Sequence, residues 1–77
     1  MNVTFTDPMT SGCLVAQVSP SKTASDCIQA LQQNKFLGPG THQLVVNGKT
    51  ILPHETLEEA GVTDGGTVAI LKMERGA

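Results

Sequence analysis

The chain has 77 residues, enough for one domain near the lower limit of a self-sufficient core. Apolar residues make up 39%, charged ones 16%, and the net charge is −2, which fits neither a disordered nor a membrane-embedded polypeptide. With no Trp or Tyr, two Phe and no excess of Lys and Arg, it lacks the stacking rings and basic patch of a nucleic-acid binder.

Val3 and Phe5 alternate with Asn2, Thr4 and Thr6, the period of a half-buried strand. Asp7 to Gly12 is a turn segment punctuated by Pro8. Leu14, Ala16 and Val18 resume the alternation and predict a hairpin, with Cys13, Val15 and Gln17 on its outward face. Pro20 ends that strand. Thr23 opens a helix, with Asp26 at the capping-box offset. Ala24, Cys27, Ile28 and Leu31 then fall on one helical stripe. Asn34 to Gly40 reads as a loop, since Gly38-Pro39-Gly40 blocks helical continuation.

Gln43 to Val46 reads as the third strand, with Leu44 and Val46 inward and Val45 outward. Asn47-Gly48 is a tight turn needing positive φ. Lys49 to Ile51 returns as a short strand that Pro53 stops. Thr56-Leu-Glu-Glu59 is a second capping box, and Gly61 suits the left-handed position after a one-turn helix. Thr67 to Met73 is the last strand, with Val68 and Ile70 inward and Ala69 and Leu71 outward. The order predicts an α+β domain, a mixed sheet of about five strands crossed on one face by the helix. The expected core is Val3, Phe5, Leu14, Val18, Cys27, Ile28, Leu31, Leu44, Val46, Leu57, Val62, Val68 and Ile70.

Cys13 and Cys27 have neither Cys-x-x-Cys spacing nor a flanking His, so no metal site or redox pair is expected. Their outward and inward positions also argue against a disulfide. His42 and His54 lie in polar stretches and are expected at the surface. No Ser/His/Asp, Cys/His or paired-carboxylate arrangement is visible, so no catalytic residue and no cofactor is assigned. The start, Met-Asn-Val-Thr-Phe, lacks the features of a signal peptide. No apolar run approaches the ~20 residues of a membrane span. A cytoplasmic protein without membrane contact is expected.

Val18-Ser-Pro-Ser-Lys-Thr23, Gln43-Leu-Val-Val-Asn-Gly-Lys49, Thr56-Leu57 and the Thr67 strand occur in the order and spacing of the ubiquitin family. The chain resembles that family along its whole length, and from Val18 to Ala77 the two align without a gap. The resemblance implies a ubiquitin-like β-grasp domain over residues 1–74 and a flexible C-terminal tail over 75–77. It implies a non-enzymatic monomer that binds other proteins through an apolar patch. Met9, Val45, Ala69 and Leu71 stand at the matching positions, with Ala69 where the family has a histidine.

The resemblance also implies an alternative, a modifier or sulphur carrier activated at its C-terminal carboxylate, here on Gly76 and Ala77. Val46-Asn-Gly-Lys49 and Asp64-Gly-Gly-Thr-Val68 are similar to sulphur-carrier proteins as well. Members of both groups end in Gly-Gly, because a chain without side chains threads a narrow activating channel most freely. Ala77 departs from that pattern and sets a methyl beside the carbon under attack. Met73 and Glu74 depart from the family's usual tail, while Arg75 keeps its positive charge. Lys49 matches a chain-linkage lysine of the family.

Overall fold

The computed structural model describes residues 1–38 and 40–73. Its elements are β1 (Asn2–Asp7), β2 (Gly12–Gln17), α1 (Ala24–Gln33), β3 (Thr41–Val46), β4 (Lys49–Ile51) and β5 (Gly66–Met73). The strands form one sheet in the order β2-β1-β5-β3-β4, with β1 and β5 parallel and the other neighbours antiparallel. Buried residues of α1 join the inward residues of all the strands but β2 in a single core. This is the expected mixed sheet on one helix, a β-grasp-like α+β fold.

The two capping boxes build two segments of different length by the same chemistry. At α1, the Asp26 N–H donates to Thr23 Oγ1 (3.1 Å) and the Thr23 N–H to Asp26 Oδ2 (3.3 Å). The helix ends with Lys35 at φ 61, where the Phe36 N–H donates to the Leu31 carbonyl and the Lys35 N–H to that of Gln32. Those two bonds are a Schellman stop, with lysine in the position glycine usually takes. At Thr56 the same reciprocal box closes with Glu59, and Gly61 at φ 86 ends the segment after a single turn. There the Val62 N–H donates to Leu57 O and the Gly61 N–H to Glu58 O, a second Schellman stop.

The β3–β4 turn puts Asn47 at φ 53 and Gly48 at φ 79, the paired left-handed geometry that matches strand twist in a two-residue hairpin. Gly66, at the start of β5, is needed for a different reason. A Cβ there would stand 2.9 Å from the Thr63 carbonyl oxygen, closer than carbon and oxygen can approach.

The buried core is Val3, Phe5, Ala24, Cys27, Leu31, Leu37, Leu44, Val46, Ile51, Leu57, Val62, Val68 and Ile70. Leu14, Val18 and Ile28, expected within it, are only partly buried and pack against its margin. Leu14 lies on an edge strand with a neighbour on one side, and Val18 follows that strand's end. Leu37 and Ile51 are core residues that alternation and helical phase did not mark. Leu37 is drawn in by the stop of α1, where its N–H also reaches the Leu31 carbonyl (3.2 Å). Among the described residues no helix is long and apolar enough to cross a membrane.

Candidate functional site

The strand positions that alternate with the core form the sheet face turned away from α1. One row of register partners crosses all five strands there: Cys13, Thr6, Ala69, Val45 and Thr50. Val45 and Ala69 are therefore direct cross-strand neighbours, within reach for side-chain packing. Leu71, two residues beyond Ala69 on the same face, pairs with Gln43. Val15, Thr4 and Thr67 make a parallel row on the other side of Ala69.

Among the described residues, the strand positions of this face hold no Asp, Glu, Lys, Arg or His. The charged residues of the strands are Asp7, Lys49 and Lys72, and each falls in phase with the core positions of its own strand. Val15 is 65% exposed and Leu71 43% exposed, while Val45 and Ala69 are half-buried between their neighbours. Threonine supplies much of the remainder, so the surface offers methyl groups and small hydroxyls with no charge to desolvate.

Of the four residues expected to form a binding patch, the structure brings Val45, Ala69 and Leu71 together. Met9 is the most exposed of the large apolar residues, at 73%. It sits in the β1–β2 turn, where it lines a cavity of about 230 Å³ with Phe36, Leu37, His42 and Lys72. Those residues belong to the helix side of the sheet or its loop, so Met9 stands at the end of the sheet, apart from the row. Lys49 is exposed at the start of β4. Gly76 and Ala77, the expected attachment residues, lie outside the described residues.

Cys13 is exposed and Cys27 buried, both as free thiols. Burial raises the Cys27 pKa above the ordinary thiol value, with Asp26 adding to the shift and Lys22 opposing it. Such a thiol is a weak nucleophile, in line with a core filler. His54 is exposed as expected. His42 is not, because its strand position is in phase with Leu44 and turns it toward the helix side. It is partly buried, and its Nδ1 is enclosed without a hydrogen-bond partner among the described residues. No group of three or more His, Cys, Asp or Glu that could hold a metal occurs among the described residues. No protein-family model matches this sequence, and no curated protein matches it closely enough to count as a relative.

Proposed function

We propose that the chain is a ubiquitin-like cytoplasmic protein that acts by binding other proteins on the outer face of its sheet, with no catalysis of its own. The observation that supports this reading is the charge distribution. Among the described residues, the three charged side chains of the strands, Asp7, Lys49 and Lys72, all fall in phase with the core, so the strand positions around Val45, Ala69 and Leu71 carry no charge. An uncharged face with apolar centres and hydroxyl-bearing margins is the kind of surface that costs little to desolvate, and contiguous apolar surface tends to mark interfaces.

Val45→Asp combined with Leu71→Asp tests the reading. A carboxylate buried without a counter-ion at the centre of an interface is heavily penalised, while on a solvated face it is tolerated. Proteins captured by the parent should be lost from the double variant, whose far-ultraviolet spectrum and melt stay those of a folded domain. Removal of Gly76 and Ala77 should leave capture intact. Capture that survives the double substitution but disappears on trimming the tail would overturn the reading and favour carboxylate chemistry.

A further inference from the structure

The two edges of the sheet are built differently. The β4 edge is three residues long and begins with Lys49, the short and charged form that resists pairing with other strands. The β2 edge, Gly12-Cys-Leu-Val-Ala-Gln17, has six residues with no charge and no proline. Its pairing with β1 runs through six consecutive partners without a bulge, and β1 is its only neighbour among the described residues. Among the described residues it has none of the charge, proline or bulge that blunt an edge.

The free backbone groups on that edge can be located. Met1 and Val18 exchange both hydrogen bonds, the Met1 ammonium to Val18 O and the Val18 N–H to Met1 O, each at 2.9 Å. Hydrogen-bonded pairs alternate along an antiparallel ladder. Ala16 and Leu14 therefore turn their N–H and C=O toward β1. Cys13, Val15 and Gln17 point theirs away from the sheet.

We propose that β2 pairs antiparallel with β2 of a second copy of this chain, about a two-fold axis at Val15, joining two sheets into one of ten strands. The register follows from symmetry. With Val15 opposite the Val15 of the second copy, Cys13 falls opposite Gln17 at both ends, and all three outward residues exchange bonds. A shift of the axis by one residue either way leaves one of the three without a partner in the strand. The same centre places the two Val15 side chains, each 65% exposed in the single chain, beside one another on the uncharged face. An edge without charge gives a charged peptide nothing to recognise, whereas it sets no like charges of the two strands against each other when two copies, each of net charge −2, meet along it.

Sedimentation of the parent should shift from monomer toward dimer as concentration rises. Val15→Lys, which sets two like charges at the axis, should weaken the dimer at least tenfold. Val15→Pro, which removes an N–H that no β1 group uses, should do the same. Both variants should melt as the parent does at low concentration. Paired residues at the axis have Cα atoms about 5.5 Å apart, a separation that a short bis-maleimide spans readily. Val15→Cys in a Cys13→Ser background should therefore be linked rapidly into a dimer by a short bis-maleimide, and the parent, with Cys13 opposite Gln17, should not. A parent that stays monomeric to about 1 mM, the weak end of specific association, would overturn the proposal. So would a dimer indifferent to Val15→Lys, or slow cross-linking of Val15→Cys. Protection of the β2 amides only on adding a different protein would give the edge to another occupant and overturn it equally.

Discussion

Thr23 and Thr56 face each other across an isolated antiparallel bridge, each the cap of its own segment. The Ala24 N–H donates to Glu55 O and the Leu57 N–H to Lys22 O, both at 2.9 Å, so the two capping boxes are fixed back to back. Loss of either cap hydroxyl should cost about 1 kcal/mol, the usual effect of an N-cap change to alanine. Because the caps share a bridge, Thr23→Ala with Thr56→Ala should depart from additivity by ~0.5 kcal/mol or more. A double-mutant cycle from urea melts measures this, and strict additivity would mean that the boxes act separately.

Glu59 links the second box to pH. Its carboxylate accepts from the Thr56 N–H (3.0 Å) and from Thr56 Oγ1 (3.2 Å), which lowers its pKa below the ordinary 4.5. A carboxyl group depressed on folding stabilises the fold above its unfolded value and loses that contribution as pH falls through the folded value. Glu59→Gln keeps an acceptor but cannot ionise. Its Tm should lie below the parent's at neutral pH, and the gap should narrow only under pH 4.5. A gap constant with pH would show that the charge contributes nothing.

Leu31 and Leu37 test the core on both sides of the α1 stop. Both are buried, one on the helical stripe and the other beyond the helix end. Each change to alanine should lower stability by ~2–5 kcal/mol, the range for a large-to-small change in a packed interior. Chemical denaturation decides it. A Leu37→Ala variant as stable as the parent would place that loop outside the core.

The cysteines should differ in native labelling. Cys13 is exposed and should react readily with a thiol reagent. Cys27, buried and with its pKa raised, should react only as fast as the domain opens. Equal rates before denaturation would contradict the placement of both.

Much of this architecture is legible in the chain because its signals are local. The two boxes, Thr23 with Asp26 and Thr56 with Glu59, and the Asn47-Gly48 turn each lie within four residues. The alternation of Val3 with Phe5 and of Val68 with Ile70 sets which face is wet. Leu37 was not legible, since its burial depends on a helix stop made with lysine at positive φ rather than glycine. The partial exposure of Leu14 depends on β2 being an edge, a property of strand order rather than of its own segment. The absence of charge from the outer face could have been read by noting that Asp7, Lys49 and Lys72 share the phase of the core. Met9 carries no such phase, because it lies in a turn.

The strand order also governs when the domain can exist during its synthesis. The β1–β2 hairpin and the β3–β4 hairpin are complete by residue 51, yet within the sheet each reaches the other through β5, which lies between them. A nascent chain still lacking Gly66–Met73 holds two hairpins unpaired to one another, with two further open edges and a core short of Val68 and Ile70. Completion of the sheet must therefore wait for β5 to leave the ribosome, a closure of long-range contacts that is slow by nature. Until β5 slots in, the chain exposes apolar surface and open strand edges of the kind that favour aggregation and engage chaperones.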